Sequence, residues 1–99
     1  MEFKQKEVYV IVGAFRLSVN FLIAIKLQAI EALEVEKDAS IFEPIDLEFV
    51  LMSVRSSRSV LRKIQRTYSF DRTFDKQVST IIKDCNELES FFVPIETKK

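Results

Sequence analysis

Apolar residues recur along the chain in three segments, and the last segment has the clearest spacing. Residues 71–92 place apolar side chains at alternating steps of four and three, at Phe74, Val78, Ile81, Cys85, Leu88 and Phe92. This spacing sets all six on one face of an α-helix, with charged residues on the other faces. The segment is therefore predicted to be a helix that Asp71 caps at its N-terminus and that Pro94 ends.

The middle segment, residues 45–69, also follows a helical spacing. Its apolar stripe consists of Leu47, Leu51, Val54, Leu61, Ile64 and Tyr68. The linker before it, residues 38–44, contains Asp38, Ser40 and Pro44, which are residue types common at helix boundaries. Pro44 is expected in the first turn of this second helix, where a missing N–H is tolerated.

The first segment, residues 3–37, is apolar around most of its circumference when it is drawn as a helix. One stripe consists of Val8, Val12, Phe15, Val19, Leu22, Ala29 and Leu33. A second stripe includes Val10, Ala14, Leu17, Phe21 and Ile25. A helix of this kind has to be buried on most sides, and a chain of 99 residues offers little to cover both stripes. The second stripe is therefore the predicted interface of a homodimer.

A β-hairpin in residues 7–28 is the alternative for this first segment. Residues 8–12 are nearly all β-branched or aromatic, which favours a strand, and apolar and polar residues alternate over residues 16–28. The hairpin would have to turn near Gly13, and Gly13–Ala14 is a poor turn sequence. The helix is the favoured interpretation.

The whole chain is thus predicted to be one all-α domain, residues 1–99, built as a three-helix bundle that runs up, down and up. The alternative is an α+β fold with the N-terminal hairpin. With one Gly and two Pro, the sequence holds few of the turn residues that many short strands would need. This composition supports a few long helices and a dimer formed through the first one.

Composition argues against an enzyme. The chain has no His, which removes the commonest general base and the commonest metal ligand. Its single Cys85 lies on an apolar helical stripe and is expected to be a buried small side chain. No catalytic residue, metal site or cofactor is predicted. One cysteine also fits a reducing compartment, and no secretory signal is evident, so a cytoplasmic location is expected.

The most distinctive charged feature is a row of arginines on one side of the second helix: Arg55, Arg58, Arg62 and Arg66. Like charges four residues apart repel each other in a helix. Antiparallel pairing about a turn near residue 70 sets Arg62 level with Val78 and Arg66 level with Phe74, where Asp75 is the one acid nearby. The row is therefore predicted to bind an anion or an acidic partner, against the simpler interpretation of a solvated charged face.

These features predict a small non-enzymatic interaction module, such as an inhibitor, adaptor, chaperone or assembly subunit, that binds another protein. One alternative is a nucleic-acid-associated regulator that uses the arginine row; the formal net charge of zero gives it no support. A second alternative is a membrane-anchored subunit that inserts residues 8–25. Arg16 and Asn20 lie near the middle of that stretch, and an Arg at the bilayer centre costs about 2.5–3.5 kcal/mol.

Overall fold

Three long helices form the fold in the computed structural model, which describes residues 3–36 and 46–98. Helix α1 spans Gln5–Glu31 and continues into a π-helical turn at Ala32–Glu36. Helix α2 spans Leu47–Thr67, and helix α3 spans Arg72–Lys98. The prediction of an all-α fold is confirmed for the described residues. The expected boundary roles of Asp38, Ser40 and Pro44 lie outside them.

The N-terminal hairpin is wrong, because one unbroken helix covers residues 7–28. Gly13 lies within this helix, and a Cβ at that position would meet no atom within 4 Å. Val8 and Val12 are fully buried. β-Branched residues cost a helix well under about 1 kcal/mol each relative to Ala, whereas burial of each side chain contributes about 1.5–3 kcal/mol. Packing therefore outweighs the strand preference of residues 8–12.

The contacts between the helices set their directions. Helices α1 and α3 run parallel, because Tyr9 packs on Phe74 and, further along both helices, Arg16 pairs with Asp84. Helix α2 runs antiparallel to α3. Gln65 donates a hydrogen bond to Ser79 at 2.7 Å, whereas Arg55, which precedes it in α2, pairs with Glu89, further along α3. These contacts follow the predicted up-down-up order.

One stripe of each helix forms a single hydrophobic core. Helix α3 contributes all six predicted residues, each at most 2% exposed: Phe74, Val78, Ile81, Cys85, Leu88 and Phe92. Helix α2 contributes Leu47, Val50, Leu51, Val54, Leu61 and Ile64, and Tyr68 lies half-buried beside them. Helix α1 contributes its first predicted stripe, in which Val8, Val12, Val19, Leu22 and Ala29 are buried. Of the second stripe of α1, Val10, Ala14, Leu17 and Phe21 lie outside this core, and Ile25 packs against its edge.

The helix ends follow the predictions at one end of α3 and depart from them at the other. Asp71 caps α3 through a hydrogen bond from the Phe74 N–H to its carboxylate at 2.8 Å. Helix α3 continues through Pro94 to Lys98, so the predicted end at Pro94 is wrong. Proline costs a helix interior about 3 kcal/mol. The burial of Phe92 and the packing of Phe91, Val93 and Ile95 against the core offset that cost.

Candidate interaction surfaces

The outer face of α1 is an exposed apolar surface. The outer face consists of Val10, Ala14, Leu17, Phe21 and Ala24, which are all exposed. Val10, Leu17 and Phe21 retain 67%, 73% and 68% of their accessible surface. They lie on the side of α1 opposite the buried stripe. Large apolar side chains this exposed, in one continuous row, are typical of an interaction site.

No charged side chain interrupts the outer face. Between Glu7 and Glu31 the only charged residues are Arg16 and Lys26, and both turn towards α3. The Arg16 guanidinium donates to the Asp84 carboxylate at 2.8 Å, and the Lys26 ammonium lies 5.6 Å from the centre of the Phe91 ring. The two charged side chains that interrupt the apolar sequence of α1 therefore contact α3 of the same chain.

Four of the five residues of the predicted dimer interface are exposed. Val10, Ala14, Leu17 and Phe21 are exposed, whereas Ile25 is half-buried and packs against the core. Ala24 was not predicted, although it follows Phe21 by three residues and so continues the same helical row. Helix α2 also exposes Phe49, Met52 and Val60, which the sequence did not single out.

The arginine row of α2 divides into a paired half and an unpaired half. Arg55 donates to Glu89 at 2.6 Å, and Arg58 donates to Glu89 at 2.7 Å and to Asn86 at 2.8 Å. Arg62 and Arg66 form no hydrogen bond or ion pair with any residue that the structure describes. Arg62 and Arg66, for which the sequence offers Asp75 as the one acid nearby, are thus the unpaired members among the described residues. The pairing of Arg55 and Arg58 with Glu89 was not predicted.

The two arginines determine the ionisation of Glu89. The hydrogen bond from Arg58, followed by that from Arg55, lowers the pKa of Glu89 to about 2. Hydrogen bonding to Glu89 in turn raises the pKa of Arg58. Both pKa shifts reflect the ion pairs that Glu89 forms with the two arginines. The Glu89 side chain is a quarter exposed, so solvent weakens the contribution of these ion pairs to stability.

Acid is expected to remove this contribution. A folded-state pKa below the ordinary 4.5 means that the ion pairs stabilise the fold fully above about pH 4.5 and lose that effect as the pH falls towards 2. We expect wild type and Glu89→Gln to differ in free energy of unfolding by about 1 kcal/mol at neutral pH and to converge at pH 2. Urea denaturation across this range measures the difference, with Glu87→Gln as the matched exposed control. An undiminished difference at pH 2 would contradict the assignment.

The described residues offer few groups for metal binding or for reaction as a nucleophile. No group of three or more acidic, Cys or His side chains in the described ranges could hold a metal ion. Cys85 is fully buried, and burial raises the pKa of its thiol, so the thiol stays protonated and unreactive. This burial agrees with the expectation from the sequence.

A groove of about 420 Å³ runs between α1 and α3, beside Gly13. Its charged lining residues are Arg16 and Lys76, and its other walls include Tyr9 and Thr80. Asp84 already neutralises Arg16, which leaves Lys76 as the unpaired cation among the described residues of the lining. The groove is therefore a weaker candidate site than the outer face.

Length and composition would also allow α1 to cross a membrane, over Gln5–Glu34. The core helix of a soluble protein often meets the same criteria. In this fold only 22% of the most apolar 18-residue stretch is buried, so the bundle leaves most of that stretch uncovered.

Comparisons with known proteins assign no family to this chain. No protein-family model matches the chain, and searches of curated proteins and of solved structures find no match.

Proposed function

We propose that this protein is a small non-enzymatic interaction module that acts as a homodimer formed through the outer face of α1. One observation carries the proposal: Val10, Leu17 and Phe21 are about two-thirds or more exposed, in an uncharged row on the side of α1 opposite the core. A second copy of the chain offers the same apolar row, and two such rows can cover each other. Self-association is thus the simplest way to bury this surface.

The size of the outer face predicts a modest affinity. From Val10 to Gln28 the row is about 27 Å long, at 1.5 Å per residue. One helix pair of this length falls at the small end of stable interfaces, which bury about 800 Å² per partner. We therefore expect a dissociation constant on the order of micromolar.

The test is light scattering of the full chain after size exclusion, in plain buffer and over a dilution series. We expect a dimer that dissociates into monomer on dilution. A monomer at every concentration would overturn the proposal. A chain that stays soluble only in detergent would also overturn it and would favour the membrane-anchored alternative.

Arg62 and Arg66 supply a second surface, which we assign to an acidic protein partner. They line a surface depression of about 290 Å³ together with the paired Arg55 and Arg58. Guanidinium groups bind carboxylates in a planar, two-pronged geometry. Since these two have no acid of their own among the described residues, an acidic surface of another protein would complete the row.

Charge reversal tests this second surface. We expect Arg62→Glu with Arg66→Glu to weaken binding of a polyglutamate peptide about tenfold or more at low salt. The matched control is Lys63→Glu with Lys83→Glu, which reverses two other exposed charges. Equal losses in both double variants would mean that net charge alone governs binding and would refute the site. Binding of duplex DNA in preference to the peptide would instead favour the nucleic-acid alternative.

A further inference from the structure

We infer that the two copies pair antiparallel along α1, with a two-fold axis that passes level with Val19. This inference rests on the proposed dimer and specifies its geometry. A second copy is the occupant that the outer face fits, because reversing one copy brings the opposite charges at the two ends of the face together.

The charge argument concerns the two ends of the outer face. Lys6 and Glu31 are both exposed, and the 25 residues between them amount to about seven helical turns. They therefore lie on the same edge of α1, at opposite ends. A two-fold axis perpendicular to the helix keeps each residue on its own edge and exchanges the ends. Antiparallel pairing thus brings Lys6 of each copy beside Glu31 of the other.

Parallel pairing has the opposite effect. A two-fold axis parallel to the helices carries each residue to the opposite edge at the same level. Both Glu31 carboxylates then gather at one end of the interface, and like charges there oppose association. The helix dipoles act in the same direction, since parallel helices place their positive N-termini together and antiparallel helices do not. Both electrostatic terms therefore favour the reversed arrangement.

The spacing of apolar residues specifies the register. The outer face, extended to Gln28, follows alternating steps of four and three, which is the pattern of core positions in two-stranded coiled coils. In the register centred on Val19, Leu17 faces Phe21 of the other copy, and Ala14 faces Ala24. The same register sets Lys6 level with Ala32, one residue from Glu31. This register pairs the apolar layers and brings Lys6 next to Glu31. Glu7 is level with Glu31 but lies on the opposite edge, where it accepts a hydrogen bond from the Lys4 N–H of its own chain.

Disulfide trapping tests this arrangement. The small side chains at Ala14 and Ala24 let the helices approach closely, and a disulfide forms when the two Cα atoms are about 4.4–6.8 Å apart. We expect Ala14→Cys and Ala24→Cys to cross-link with each other when mixed under mild oxidation, and neither to cross-link with itself. One variant carries a tag, so that the mixed product is identified by mass. Both substitutions are small and exposed, which preserves the fold.

The outcomes separate the geometry from the dimer itself. Self-cross-linking of each variant would mean a parallel dimer and would overturn the inference. A dimer by light scattering that no combination cross-links would overturn the register. If light scattering shows no dimer, the proposed function is refuted, and the inferred geometry is refuted with it. Wild type, whose Cys85 is fully buried, and Ser90→Cys, at an exposed position of α3, are the controls for random oxidation.

Discussion

Replacing both Leu17 and Phe21 by aspartate is expected to convert the dimer into a monomer and to raise the dissociation constant about 1,000-fold or more. Burial of one large apolar side chain contributes about 1.5–3 kcal/mol, and two-fold symmetry makes each substitution act twice. After subtraction of the cost of ordering side chains, the dimer loses about 4 kcal/mol of binding free energy. This loss corresponds to a dissociation constant about 1,000-fold higher. Sedimentation equilibrium of both proteins measures the change directly.

The fold of the monomer should survive this double substitution. Leu17 and Phe21 are about 70% exposed and contribute nothing to the core, so circular dichroism should show unchanged helix content. Ser90→Asp is the control, because it adds a negative charge to an exposed position of α3, away from the outer face. A double variant that dimerises as tightly as wild type would exclude the outer face as the interface.

Truncation of Phe74 is expected to be the most destabilising single change that we consider. Phe74 is 1% exposed, and its ring packs edge-on against Tyr9 and Phe70, with ring centres 5.3 and 5.0 Å apart. Phe74→Ala leaves a cavity where α1, α3 and the loop before α3 meet, which costs about 3–5 kcal/mol. Small domains are stable by about 5–15 kcal/mol in total, so much of the stability would be lost.

Urea unfolding at one protein concentration measures this loss, since dimerisation makes apparent stability depend on concentration. Phe49→Ala is the matched control, because it removes the same ring from a position that is 59% exposed and should change stability by less than about 0.5 kcal/mol. Similar losses from the two substitutions would mean that the aromatic contacts around Phe74 do not hold α1 to α3.

The sequence predicts the core of α2 and α3 well, because each of these helices has one apolar stripe and one polar side. Every residue of the predicted α3 stripe is buried. The end of α3 was predicted wrongly for a physical reason: the rule that a proline ends a helix is local. The apolar side chains on both sides of Pro94 pack against the rest of the bundle, and that contact is not visible in the local sequence.

The candidate sites were predicted less completely, and each omission has its own cause. The pairing of Arg58 with Glu89 depends on how tightly the chain turns between α2 and α3. The hydrogen bond between Gln65 and Ser79 shows that the helices are shifted by about one helical turn from the pairing assumed around residue 70. The two stripes of α1 are equally apolar in sequence, so only the packed structure shows that the stripe containing Phe21 faces outwards.

The order of the helices along the chain has a consequence for biosynthesis. Helix α1 leaves the ribosome before α2 and α3, but its partners Phe74, Asp84 and Phe91 all belong to α3, the last of the three helices to be made. Helices α2 and α3, which are joined by the short connection Tyr68–Asp71, can form a hairpin on their own as soon as both are made. Until α3 is made, α1 exposes both apolar stripes to solvent or to neighbouring nascent chains. The yield of soluble protein should therefore depend on how quickly translation completes α3.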